Sequence, residues 1–168
     1  MDFSELYSRY ARDVHRFSVY LSGDATLAED LTSETFVHIL RRPVDLRVGT
    51  VKAYLFATAR NLFRDGVKRQ RRLVAIGDVP EIADPARSFD RNTEDRQTLS
   101  DVLKGIQRLP APQREALVLS LDDDLRYEQI GAILGCSVAA VKVRIHRARM
   151  QLRSDLKGQE RPRGKNHA

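Results

Sequence analysis

The stretch Tyr127-Glu-Gln-Ile-Gly-Ala-Ile-Leu-Gly135, followed by Cys136-Ser137 and then by Val138-Ala-Ala-Val-Lys-Val-Arg-Ile-His-Arg-Ala-Arg-Met-Gln-Leu-Arg153, decides how this chain is read. Two short helical patterns meet at a glycine-bearing turn. Gly135 can take the left-handed conformation that ends the first helix, and Ser137 can cap the second by accepting an orphan backbone N–H of its first turn. In the second helix Val138, Val141, Ile145, Ala148 and Leu152 recur at intervals of three and four, so they form one stripe that must pack on something. Rotation by about 100° per residue sets Ala139, Val143, His146, Arg147 and Met150 roughly opposite that stripe. Lys142, Arg149 and Arg153 then lie on one shoulder and Arg144 on the other. A buried stripe with a cationic outer side is how a helix-turn-helix offers a reading helix to a DNA major groove. The plainer alternative is a solvated amphipathic helix.

The remaining composition suits a polyanionic partner. With 168 residues, 42% of them hydrophobic, the chain can bury one ordinary core or two small ones, and its net charge is +6 with a pI near 9.8. No run is long and apolar enough to span a bilayer, and the acidic N-terminus has no signal-peptide core, which predicts a cytoplasmic protein with no membrane insertion. One cysteine, Cys136, can form neither an internal disulfide nor a Cys-rich zinc site, and it is expected to pack inside the turn. There is no Gly-rich phosphate loop, no pair of His ligands at helical spacing and no nucleophile beside a base, so neither metal, cofactor nor enzymatic activity is expected.

Charge divides the chain into segments. Residues 1–40 hold seven acids against three arginines, a net of −4, whereas residues 57–75 hold six bases against Asp65, a net of +5. Residues 77–95 return to −4, with Gly77, Pro80 and Pro85 and little helical periodicity, and read as a linker. Three amphipathic helices precede it: one through Phe3, Leu6, Tyr7, Tyr10, Val14 and Phe17, one from Leu27 to Leu40, and one from Thr50 or Val51 through Phe63 that dissolves into Lys68-Arg69-Gln70-Arg71-Arg72. Helical pattern resumes with Leu99, Val102, Leu103 and Ile106, is cut by Pro110 and Pro112, and continues with Ala116 to Leu121. No strand-like alternation competes. The reading is all-α: two small helical domains joined by a flexible acidic linker, the second with a helix-turn-helix. Domain boundaries fall at 1–75, 76–95 for the linker, 96–157, and 158–168 for a basic, disordered tail.

Four motifs now stand in order: Ala28-Glu-Asp-Leu-Thr-Ser-Glu-Thr-Phe-Val37; Ala53-Tyr-Leu-Phe-Ala-Thr-Ala-Arg-Asn-Leu62 running into Arg64 and Arg69 to Arg72; Leu109-Pro-Ala-Pro-Gln-Arg-Glu-Ala-Leu117; and Tyr127 to Gly131 with Val141 to Arg149. Together they resemble bacterial RNA polymerase sigma factors of the extracytoplasmic-function (ECF) class. The resemblance covers residues 3–73 and 96–153, both helical segments. It implies that the first module, the family's region 2, grips the coiled coil of the polymerase β′ subunit and opens the −10 promoter element. It implies that the second, region 4, sits on the β flap and reads the −35 element as duplex.

Site residues follow from that resemblance. Core-polymerase binding falls on Glu29, Asp30, Leu31, Glu34, Phe36 and Val37, with carboxylates for basic partners around apolar contacts from Leu31 and Phe36; the alternative is the wet face of a helix. Asn61 falls where the family lines a pocket for an unstacked base of the −10 strand, and its amide offers both donor and acceptor. Its alternative role is a surface amide or cap. Arg60, Arg64, Lys68, Arg69, Arg71 and Arg72 are expected to hold phosphates, and Tyr54 to pack chiefly in the core with stacking on a base as its other role. At the −35 element the expected contacts are Ser137, Lys142, Val143, Arg144, His146 and Arg147. Arg147 suits guanine, Val143 a thymine methyl, and Lys142 and Arg144 phosphate. Val143 departs from the small polar residue common in the family, so base preference there does not transfer. The linker is expected to thread toward the polymerase active centre or to serve as a plain tether. Promoter DNA and core RNA polymerase are the implied partners, with an anti-sigma factor as a further one. A stand-alone helix-turn-helix regulator is the competing reading for residues 109–153.

Overall fold

The computed structural model describes residues 1–42, 51–77 and 94–159, and these form seven helices and no strand. They are α1 (Phe3–Ser22), α2 (Ala25–Arg41), α3 (Val51–Ile76), α4 (Glu94–Arg108), α5 (Ala111–Ser120), α6 (Tyr127–Leu134) and α7 (Val138–Gln159). The acidic stretch 78–93 and the tail from residue 160 lie outside the described residues.

Each helix begins and ends where local chemistry directs. Asp2 accepts from the Glu5 backbone N–H at 2.8 Å while Glu5 reaches back to the Asp2 N–H at 3.2 Å, a reciprocal capping box at the start of α1. Gly23 closes α1 at φ 69°, and Asp24 caps α2 by accepting from the N–H groups of Thr26 and Leu27. α2 stops at Arg41, ahead of Pro43. α3 departs from the sequence reading: it does not dissolve at Lys68 but continues to Ile76, since Lys, Arg, Gln and Leu are good helix formers. α4 opens on Glu94 and Asp95, whose charges favour a helix N-terminus, so the last two residues assigned to the linker are helical. Pro110 precedes α5, where an imide without an N–H costs nothing.

α1, α2 and α3 pack together around Leu6, Tyr10, Val14, Phe17, Phe36, Ile39, Leu55, Phe56 and Ala59. The Phe17 and Phe56 rings stack with centroids 4.6 Å apart. α4 to α7 enclose Ile106, Leu109, Ala116 to Leu119, Leu125, Ile130, Val141, Ile145 and Ala148. These two groups belong to one contiguous buried cluster, because α1 lies against α4 and α5 while α3 meets α6. The two helical groups are therefore docked side by side.

The helix-turn-helix has a tight turn. Gly135 takes φ 67°, Cys136 N–H donates to Gly131 O at 3.0 Å, and Ser137 Oγ accepts from the Ala140 N–H at 3.1 Å. A Cβ on Gly131 would stand 2.7 Å from the Cys136 carbonyl oxygen, and backbone cannot step aside cheaply. Gly131→Ala is expected to destabilise the full chain by about 1–3 kcal/mol through overpacking. Thermal melting checks this; an unchanged midpoint would show that the turn relaxes.

Candidate nucleic-acid interface

The stripe expected to pack on α7 does so. Val141, Ile145 and Ala148 are buried, with Val138 and Leu152 partly so. Ser137, Lys142, Val143, His146 and Arg147 are exposed, and Arg144 is half-buried on its shoulder. No helix covers that outward side among the described residues, so donors and an apolar methyl pair stand ready to enter a groove.

α3 carries two cationic edges. Arg60, Arg64, Lys68 and Arg71 share one helical face at steps of three and four. Arg64, Lys68 and Arg71 line a groove of about 420 Å³ whose other wall includes Arg108, Arg114, Glu115 and Leu109. Asn61, Arg69 and Arg72 lie on the neighbouring face and are exposed. Tyr54 is partly buried against the core, in line with its expected chief role.

Arg60 requires a correction. It is only 8% exposed, and its Nη2 lies 3.0 Å from Glu115 Oε2 of α5 while Nη1 donates to the Ile133 carbonyl of α6 at 3.1 Å. In this arrangement it grips the C-terminal helices, whose carbonyl end attracts a cation, and does not face a phosphate.

The α2 surface also differs from expectation. Glu29, Asp30, Glu34 and Val37 are exposed, but Leu31 is 4% and Phe36 2% exposed, so both belong to the core and cannot be apolar contacts for a partner. Phe36 meets Tyr7 and Phe3 edge-on, with centroids 4.9 and 6.2 Å away. The exposed apolar residues of α2 are Leu27, Val37 and Leu40. Leu27, Asp30, Glu34 and Val37 recur at three and four and form a mixed acidic and apolar stripe.

A second set of contacts joins the two halves. Lys52 Nζ on α3 stands 3.0 Å from Asp13, 3.0 Å from Asp122 and 2.8 Å from Asp124. Burial by itself lowers the Lys52 pKa, but its hydrogen bonds to Asp124, Asp122 and Asp13 outweigh that and hold the ammonium well above its ordinary value. The Asp124 carboxyl is correspondingly lowered, first by the hydrogen bond from Lys52 and then by its charge. Gln107 Nε2 donates to the carbonyls of Tyr20 and Leu21 at 3.1 and 3.3 Å, which satisfies the end of α1. Sequence reading found none of Asp13, Lys52, Gln107, Asp122 and Asp124 as contacts, since these partners lie 39 to 87 positions apart and no periodicity marks them. Glu115 lies inside a quoted motif but carried no assigned role.

Residues 6–73 match the family Sigma-70 region 2, and residues 99–152 match Sigma-70, region 4. The ECF RNA polymerase sigma factor SigM of Bacillus subtilis is 33% identical over 92% of this chain and 94% of its own length. The chain belongs to the ECF sigma factors. The ECF sigma factor SigE of Mycolicibacterium smegmatis is 38% identical over 90% of the chain, which spans 60% of that relative's length. Among solved structures, the sigma factor RpoE from Bartonella quintana, crystallised with the anti-sigma factor NepR, superposes with a TM-score of 0.76 at 29% identity, covering 93% of this chain and 97% of that one. In this sigma factor α1 to α3 thus lie within or around region 2 and α4 to α7 within or around region 4. A stand-alone regulator has no use for region 2, and that reading is not favoured.

Proposed function

We propose that this ECF sigma factor docks on core RNA polymerase, directs it to promoters and opens them by binding alone, as a cytoplasmic protein with no catalytic step of its own. The observation that carries the reading is the exposed outer side of α7, Lys142, Val143, His146 and Arg147 over a buried stripe, on the same chain as a second, basic helix. α7 reads the −35 duplex, with Ser137 and the shoulder residues Lys142 and Arg144 on phosphate. Asn61 receives an unstacked base of the −10 strand, with Arg64, Lys68, Arg69, Arg71 and Arg72 on the backbone. Capture of flipped bases favours the open state through differential affinity, so no nucleotide hydrolysis is needed.

On α2 the stripe of Leu27, Asp30, Glu34 and Val37 replaces Leu31 and Phe36 as the surface for the β′ coiled coil, with Glu29 beside it. Region 4 meets the β flap. The pairing of the RpoE relative with NepR supports an anti-sigma factor as a further partner.

Run-off transcription tests this. Core polymerase with this chain should initiate at a specific promoter, whereas the chain alone should bind DNA weakly and in a salt-sensitive manner. Asn61→Ala in that holoenzyme should lower strand opening by about an order of magnitude, since one captured base is worth about 1–3 kcal/mol, while leaving upstream duplex binding near normal. Failure of the wild-type chain to program core polymerase would end the reading; equal losses in both steps for Asn61→Ala would end the base-capture assignment.

A further inference from the structure

We infer that the groove between α3 and the corner joining α4 to α5 is a binding site for a nucleoside polyphosphate, held with its phosphates on the cationic walls and its base on the apolar floor. Binding of this kind needs neither promoter nor polymerase, so it goes beyond the sigma-factor reading and stands apart from it.

Charge supplies the first argument. Arg64, Lys68 and Arg71 line the α3 wall and Arg108 and Arg114 the opposite one, while Glu115 is the one carboxylate among the described residues that line the groove. No carboxylate pairs with Lys68, Arg71 or Arg108 among the described residues. Arg114 is fixed in place: its Nε donates to the Ile106 carbonyl at 3.2 Å and its Nη2 to those of Gln107 and Leu109 at 2.8 and 3.0 Å. Unpaired cations beside a positioned guanidinium make a set of phosphate partners that is partly ordered before any ligand arrives.

Shape and floor supply the second. The groove holds about 420 Å³, within the roughly 300–1,000 Å³ of small-molecule sites. Phe63, Val67, Leu109 and Pro110 give it apolar surface, and the Phe63 ring is only partly buried. An inorganic anion has no use for such a floor, whereas a base stacks on an aromatic ring.

The remaining polar groups set the orientation. Glu115 Oε1 lies 3.8 Å from Arg64, and Gln107 commits its Nε2 to the carbonyls of Tyr20 and Leu21, which leaves its amide oxygen as an acceptor. Both oxygens suit the amino N–H of a base, and the carboxylate repels phosphate. The base therefore belongs beside Glu115 and the phosphates toward Lys68 and Arg71, up to about 10 Å past Arg64 along the helix. The DNA contacts proposed on α3 involve one wall only. Arg108 and Arg114 supply the facing wall, and two cationic walls around so small a volume favour a mononucleotide over a strand.

Isothermal titration calorimetry of the free full-length chain with ATP, GTP, their nucleosides and inorganic tripolyphosphate, without divalent metal, tests the inference. The preferred nucleotide should fill one site and bind about tenfold or more tightly than tripolyphosphate, the gain expected from one stacked base. Its nucleoside should bind weaker by about tenfold or more, for want of charged hydrogen bonds. Arg108→Glu, an exposed change outside every contact assigned to DNA or polymerase, should weaken the nucleotide by about tenfold or more. Arg96→Glu alters the net charge equally but lies outside the groove, and should change affinity by less than about twofold in ordinary salt. In NMR spectra of the wild-type chain the backbone amides of Val67 and Ala111, one on each wall, should shift on titration, and this decides the matter should Arg108→Glu fail to fold by circular dichroism. Absence of binding, tripolyphosphate binding as tightly as either nucleotide, equal losses for Arg96→Glu and Arg108→Glu, or shifts confined to one wall would each overturn the inference. So would a single-stranded DNA tetranucleotide that binds more tightly than either nucleotide and loses as much to Arg108→Glu, since the groove would then belong to a strand.

Discussion

Phe36→Ala should cost this chain about 3–5 kcal/mol of stability, the range for emptying a buried aromatic site. The ring is 2% exposed and joins α2 to α1 through edge contacts with Tyr7 and Phe3, so its removal leaves a cavity at a helix crossing that the backbone can close only in part. For a chain of this size that loss lowers the melting midpoint by on the order of 10 °C. Val37 is the informative comparison. It follows Phe36 in sequence yet is 42% exposed, because one step along a helix turns the side chain by about 100°. Val37→Ala should leave the melting midpoint almost unchanged, within about 0.5 kcal/mol of stability, and should weaken assembly with core polymerase. Thermal melts and a polymerase pull-down measure the two effects. A Phe36→Ala chain that melts with the wild type would refute the placement of that ring in the core.

Arg147→Ala should weaken recognition of the −35 duplex by the holoenzyme by about 1–3 kcal/mol, the worth of one bidentate base contact, which is on the order of 10- to 100-fold in affinity. The loss should be confined to the cognate sequence, because a guanidinium that reads O6 and N7 contributes little where no guanine stands. Lys142 provides the contrast. It lies on the shoulder of α7, exposed beside Val143 and His146, and a phosphate contact made there would position the helix without specifying a base. Lys142→Ala should therefore reduce binding to all sequences alike and lower the salt slope by about one unit. Mobility shifts at two salt concentrations with cognate and scrambled duplex separate the two patterns. Uniform losses for both variants would show that Arg147 also serves the backbone.

Much of this molecule is written locally. Gly23, Asp24, Gly135 and Ser137 end and restart helices through their own backbone preferences and short side-chain bonds, so their turns are legible without knowing what packs nearby. The stripe on α7 was readable because Val138, Val141, Ile145, Ala148 and Leu152 keep one side apolar, whereas the other side mixes Val143 and Met150 with cations. α2 was harder: Leu27, Leu31, Phe36, Val37 and Leu40 surround much of its circumference, and a sequence with apolar residues on several sides does not say which side meets a neighbour. Leu31 and Phe36 were assigned to a partner from the resemblance, yet both are buried, Phe36 against Tyr7 and Phe3 of α1. The length of α3 was underestimated because its polar second half has no apolar stripe, although its residues favour helix.

The amino-acid order was enough to specify an all-helical chain, its family, its helix-turn-helix and the buried stripe of α7, since each depends on periodicity, capping or a motif spanning a few turns. Folding in three dimensions assigned Arg60 to Glu115 and Lys52 to Asp122 and Asp124, and with them the closed joint between the two regions. Those pairs lie 55 to 72 positions apart in the chain, and a charge carries no mark of the distant charge it will meet. Which cation faces DNA and which is held by a neighbouring carboxylate is a property of how helices pack, and helix packing is settled by the sum of many apolar contacts that no single segment contains.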